Sequence, residues 1–212
     1  MSHDDFAVEP IPGLPGIPPE GEEILWQGKP DVWALARDAF SIRWVAGYFV
    51  LLAIWRAAVV AEFGSSGDIA IAVLWMAGLG GVACGLLWLA ALIQSRATIY
   101  TITNRRVALR IGAALTITLN LPFRQLENAS LGLSKDGTGT IALQMKPGAR
   151  ISYLVCWPHV RPWRMSRTEP ALRSVPNAAA VAHILSQAAE MRVSEPELSL
   201  APNATAAAVP AE

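Results

Sequence analysis

Catalysis at neutral pH draws first on imidazole and thiol groups, and this chain of 212 residues carries three histidines and two cysteines. His3 sits in an acidic arm, His159 between Pro158 and Pro162, and His183 on what reads as the wet face of a helix. Their contexts form no metal-ligand spacing, and neither H-E-x-x-H nor C-x-x-C occurs. Cys84 lies in a long uncharged run and Cys156 in a segment that reads as a strand, so both are expected as small apolar fillers. Ser134-Lys135-Asp136 suits the tip of a hairpin better than a nucleophile with its base. The G-x-G-x-x-A spacing of Gly78, Gly80 and Ala83 follows no strand and is enclosed by apolar residues, so it is no dinucleotide loop. No catalytic residue, metal or resident cofactor is expected, and the chain is read as a non-enzyme.

Binding chemistry is better represented. Arg161, Trp163, Arg164 and Arg167 cluster in the passage WPHVRPWRMSRTEP. Arg and Trp dominate the energetics of many interfaces, and Pro158 and Pro162 reduce the ordering cost of docking. The alternative is a structural loop whose Trp163 fills the open end of a sheet. A second group of bases, Arg96, Arg105, Arg106 and Arg110, follows the uncharged run closely. The net charge of zero hides a segregation: residues 1–41 hold eight acids and two bases, residues 95–192 thirteen bases and four acids. A basic domain beside anionic headgroups gains roughly 1 kcal/mol per well-placed base. The same surface is equally open to simple solvation or to an acidic protein. No nucleic-acid partner is expected.

These side chains need a frame, and its main part is apolar. Hydrophobic residues make up 53% of the chain, a lean toward membrane proteins. Residues 69–93 contain no charge; as a helix they extend roughly 37 Å, enough for a ~30 Å hydrocarbon layer. Residues 42–61 are weaker because of Arg43 and Arg56, whose long side chains can snorkel outward, with Glu62 or Asp68 available to neutralise Arg56. They read as a second span, with an interfacial helix as the alternative. Lys29, Arg37, Arg43, Arg96, Arg105 and Arg106 flank the pair, whereas the connecting loop has two acids and no base. Both termini are therefore expected in the cytoplasm and the connecting loop outside. Trp44 and Trp88 would lie toward the inner side, Trp55 and Trp75 toward the outer. Gly81 and Gly85 form a G-x-x-x-G pair that admits a close helix: the chain's own first span, or a helix of a second protein, a homo-oligomer included.

Beyond residue 95 the period falls to two. Leu115, Ile117, Leu119 and Leu121 alternate with polar residues, and Val107, Leu109 and Ile111 oppose Arg106 and Arg110. Turns are predicted at Asn104-Arg105 and Gly112-Ala113. Asp136-Gly137 is expected to join strands near 126–133 and 140–145, and Pro147-Gly148 to lead into a strand over 151–156 with Ile151, Tyr153 and Val155 on one face. The Pro- and Arg-rich passage should be irregular. A helix of about 13 residues is expected after Asn177 as N-cap, its apolar face Ala178, Val181, Ile184, Leu185 and Ala188. The domain plan is an acidic Pro-rich arm (1–23), a first strand and lead-in (24–41), the hairpin (42–93), a soluble domain (95–192) and a compositionally disordered tail (193–212).

The stretch EEILWQGKP, followed across the hairpin by YTITNRRVALRIG, resembles the bacterial pleckstrin-homology (PH) domain families. The resemblance implies an α+β membrane protein: a two-helix transmembrane hairpin inserted near the start of a strongly bent, seven-strand antiparallel sheet, closed by a C-terminal helix. Two further stretches, SHDDFAVEPIPGLPG and WPHVRPWRMSRTEPALRSVPNAAAVA, resemble the photosynthetic complex assembly proteins of purple bacteria. That resemblance implies a non-enzymatic inner-membrane factor, its partners being reaction-centre and core light-harvesting subunits or their assembly intermediates. Neither span contains a His to ligate a chlorophyll magnesium, which argues against carrying pigment. Phosphoinositide binding does not carry over, since no diagnostic pattern surrounds Arg105, Arg106 and Arg110. The other functional class is a PH-like module that binds membrane lipid and has no link to photosynthesis.

Overall fold

The computed structural model describes residues 11–113, 116–148 and 151–194. Seven strands form two antiparallel sheets of four and three. β1 (Ile24–Gly28) pairs with β2 (Ile99–Thr103), Trp26 opposite Ile102 and Gly28 opposite Tyr100. Every residue between these two neighbours is therefore an insertion into one sheet. The insertion holds α1 (Val32–Asp38), α2 (Ile42–Ala61) and α3 (Ser66–Ala97). By length and composition, α2 and α3 are apolar enough to cross a membrane. β3 (Arg106–Ile111) and β4 (Ile117–Pro122) complete the first sheet, with Asn104-Arg105 and Gly112-Ala113 at the turns.

A single 3₁₀ turn leads into the second sheet, β5 (Leu126–Leu133), β6 (Gly139–Met145) and β7 (Ala171–Val175). Asp136-Gly137 turns β5 into β6, and Gly137 takes the positive φ of 79° that such a turn demands. α5 (Ala178–Ser194) packs Val181, Leu185 and Ala188 into a core shared by both sheets, with Tyr100, Leu109, Leu121, Leu143 and Leu172. His183, Gln187 and Glu190 are turned away from that core, as the helical pattern predicts. The bent seven-strand sheet expected from the resemblance is thus divided between β4 and β5.

The described part of the arm lies on the first sheet. Leu14 is fully buried, and Gly13, at φ 91°, leaves no room for a Cβ against Ile99. Gln27 Nε2 donates to the Pro12 carbonyl, and Glu22 accepts from Thr103 and from two nitrogens of Arg106.

Several expectations require correction. Residues 151–156 are no strand: Tyr153–Cys156 is a short helix, α4. β6 already has β5 and β7 on its two edges, so no ladder position remains beside it. Neither β7 nor α1 stands out in the sequence; β7 is buried throughout and shows no alternation, and α1 is only seven residues long. α3 exceeds the uncharged run at both ends, started by a capping box between Ser65 and Asp68 and carried past Ser95 by packing against α1. That box occupies Asp68, and no ion pair to Arg56 occurs among the described residues. Asn177 does precede α5, but at φ 51°; its carbonyl, rather than its side chain, receives the first helical N–H groups. α5 runs to Ser194, into the segment expected to be tail. Leu115, residues 1–10 and residues 195–212 lie outside the described residues.

Candidate functional site

Two devices position the Arg- and Trp-rich passage between α4 and β7. The lower one is a buried polar cluster. His159 lies 2.6 Å from the Tyr100 hydroxyl through Nδ1 and 3.0 Å from Thr98 Oγ1 through Nε2. Tyr100 accepts from the Arg173 amide, and its hydroxyl reaches both the Arg173 carbonyl, at 3.5 Å, and Nδ1; with the proton on the shorter contact, Nε2–H donates to Thr98. Arg173 donates from its guanidinium to the carbonyls of Pro158 and Asp38. Burial, with Arg173 adding repulsion, pushes the His159 pKa down to about 3. Burial likewise raises the Tyr100 hydroxyl and lowers Arg173. At neutral pH the imidazole is an uncharged brace. Burial also raises the Cys156 thiol, which keeps it protonated and packed in the core.

The upper device is a closed loop. A bridge between Val160 and Pro170 and the bond from the Arg161 amide to the Glu169 carbonyl bring its ends together. Within it, the Glu169 side chain is only 4% exposed and holds two guanidinium groups, Arg161 at 3.0 Å and Arg164 at 3.2 Å. Arg161 also reaches Ser130 on β5. Pinned this way, the loop turns Trp163 outward at φ 64° with 90% of its surface exposed. Met165 and Arg167 are exposed beside it. Arg167, Met165, Lys146, Met145 and Ile151 line a cavity of about 540 Å³ open to solvent. Chemically, this arrangement offers an aromatic anchor and two cationic groups of different freedom, the kind of surface that contacts protein.

The four residues singled out in this passage divide into two pairs. Arg161 and Arg164 meet on Glu169, whereas Trp163 and Arg167 are displayed. Trp163 does not fill the end of a sheet; Cys156 and Val160 occupy the core side of the segment. Sequence reasoning misses Glu169, although it is the one acid between Asp136 and Glu190 and lies among four arginines. Nothing in sequence spacing links His159 to Thr98 and Tyr100, about sixty positions away.

Gly81 and Gly85 are exposed on α3, and a Cβ at either position would have nothing within 4 Å. Gly80 is the residue facing α2, where a Cβ would stand 2.8 Å from Phe49 Cβ. The G-x-x-x-G pair therefore makes no close contact with α2, although Gly81 lines the open groove between the two helices. It lies roughly 20 Å or more along α3 from Thr98, apart from the Trp163 loop. Of the second basic group, Arg96 is exposed at the end of α3 and Arg110 pairs with Ile99 beside it. Arg105 and Arg106 stand at the other end of β2, bonded to Glu20 and Glu22 of the arm.

Two antiparallel sheets with a helix packed on their common core, interrupted after the first strand by an apolar helical hairpin, define an α+β domain of the pleckstrin-homology class. The chain belongs to the bacterial PH domain family, whose model matches residues 40–189. β1 lies ahead of the matched stretch, yet it completes the first sheet. The chain is similar to a Rhodobacter capsulatus protein described as an uncharacterized 23.7 kDa protein in the puhA 5′ region. The two are 50% identical over 214 aligned residues, covering 100% of each. No solved structure matches.

Proposed function

We propose that this chain is a membrane-anchored assembly factor for the photosynthetic reaction centre and its core light-harvesting complex, acting by protein contact without catalysis. In this reading α2 and α3 cross the bacterial inner membrane as a hairpin, both termini are cytoplasmic, and the Trp163 loop contacts reaction-centre or light-harvesting polypeptides or their intermediates. The observation that carries the reading is the display of Trp163 on a loop braced by a buried carboxylate. An indole exposed to that degree is costly to leave in water and cheap to dock when its backbone is already fixed. The location of the full-length relative in the puhA 5′ region is in keeping with a photosynthetic role. The exposed Gly81 and Gly85 offer a second contact, for a partner's transmembrane helix.

The test is affinity capture from mildly solubilised photosynthetic membranes. Reaction-centre polypeptides should co-purify with the wild-type chain. Trp163→Ala with Arg167→Ala should reduce that yield while the chain's own abundance stays constant. Arg164 is the poorer choice for this purpose, because its removal also disturbs Glu169. Capture of lipid with no reaction-centre polypeptide would favour the lipid-binding module instead.

A further inference from the structure

α4 carries a surface that the Trp163 loop does not use. Tyr153 and Cys156, three residues apart, turn inward to the core, while Leu154, Val155 and Trp157 point outward. Leu154 is 84% exposed, and its two neighbours about half so. Three consecutive contacts fix where this apolar face stands. Trp157 packs edge-on against Phe40, ring centroids 5.3 Å apart, and Phe40 lies two residues before α2 begins. Pro158 is tied through the Arg173 guanidinium to the Asp38 carbonyl, just ahead of α2. His159 is bonded to Thr98, the residue that ends α3. The segment 157–159 is thus clamped to both ends of the hairpin at once, which fixes α4 at the level where the two helices leave the apolar layer.

We infer that the outer face of α4, Leu154 and Val155 with Trp157, is a shallow anchor embedded in the interfacial layer of the phospholipid bilayer, beside the entrance of the hairpin. The inference rests on the reading of α2 and α3 as membrane spans. Lipid is the occupant because the patch is continuous with the hairpin's own surface: Phe40 joins it to the first turn of α2, where Trp44 is 83% exposed and Arg43 lies beside it. A bilayer that covers Trp44 reaches Trp157 through Phe40. An apolar face flanked by Trp suits the boundary between headgroups and acyl chains. The anchor removes the swivel that two helix ends alone would leave, so that the domain, and with it the Trp163 loop, faces one direction.

The test uses the full chain, with Cys84→Ala and Cys156→Ala, in nanodiscs of phosphatidylcholine and phosphatidylglycerol. A nitroxide is attached in turn at Leu154→Cys, at Leu79→Cys midway along α3, and at Glu190→Cys on the exposed face of α5 near its C-terminal end. Accessibility to oxygen and to a nickel chelate is then read by electron paramagnetic resonance. Position 154 should favour oxygen over chelate and lie roughly 5–10 Å into the headgroup boundary, shallower than 79. If 154 is as open to chelate as 190 while 79 excludes it, the anchor is disproved and the hairpin stands. If 79 is equally open to chelate, the membrane reading fails and takes the anchor with it. Dipolar broadening between labels at 154 would assign the face to a second copy of the chain and overturn the inference.

Discussion

Thr98 Oγ1 and His159 Nε2 are 3.0 Å apart, so the residue that caps the longer apolar helix is hydrogen-bonded to the segment that supports the Trp163 loop. The end of α3 and the support of the loop therefore meet at a buried imidazole. The ring's other bond, in which Nδ1 accepts from the Tyr100 hydroxyl, requires a neutral imidazole, and this gives the junction a pH dependence. The folded-state pKa is depressed to about 3, whereas an unfolded His titrates near 6.5. The unfolded chain therefore takes the proton first as the pH falls. The His159 contribution to stability is constant above about 6.5 and declines below it by at most ~1.4 kcal/mol per pH unit, until about pH 3. Thermal unfolding in detergent between pH 7.5 and 5 should show this loss, and His159→Gln should flatten it while lowering stability at pH 7.5.

The hairpin seam should respond to one glycine and not to its neighbours. Gly80→Ala places a methyl group against Phe49 and should cost roughly 1–3 kcal/mol through overpacking. Gly81→Ala and Gly85→Ala meet open space and should be neutral or stabilising by up to about 1 kcal/mol. Thermal stability of the three variants in one detergent separates these outcomes.

Glu169→Gln releases Arg161 and Arg164 together. Both bases are about half exposed, so solvent screening holds the loss near roughly 1 kcal/mol. The clearer readout is kinetic: limited trypsin digestion should cut at Arg164 and Arg167 faster than in the wild type. Unchanged cleavage would mean that the carboxylate does not hold the loop.

Glu22 is buried beneath Arg106 on the first sheet, with a side chain 3% exposed. Arg106→Gln leaves that carboxylate unpaired and should destabilise by roughly 3 kcal/mol, more than Glu22→Gln, which keeps a polar partner for Thr103. Chemical unfolding followed by Trp fluorescence would rank the two.

Much of this architecture is legible in the sequence because single elements carry their own signals. The charge-free run marks α3, period-two alternation marks β3 and β4, Asp136-Gly137 marks the β5–β6 turn, and the Ala178–Ala188 pattern marks α5. What stays hidden depends on contacts between distant residues. Ile151, Tyr153 and Val155 alternate like a strand, but the neighbouring sheet positions are taken, so the segment closes into α4. β7 is buried on both faces and carries Arg173, which reads as polar until its two carbonyl partners are seen. In the candidate site, residue types draw notice to Trp163 and the arginines. The division between braced and displayed side chains comes from Glu169, whose role depends on where the loop folds back.

Site-specific photocrosslinking in intact photosynthetic membranes tests the assembly role most directly. A photoreactive residue replaces Trp163, with the same probe at Leu133 for comparison, and the adducts are read by mass spectrometry. Crosslinks from position 163 to reaction-centre or light-harvesting polypeptides, absent from position 133, are the predicted result. Equal labelling at the two positions, or adducts at 163 with lipid alone, would contradict it.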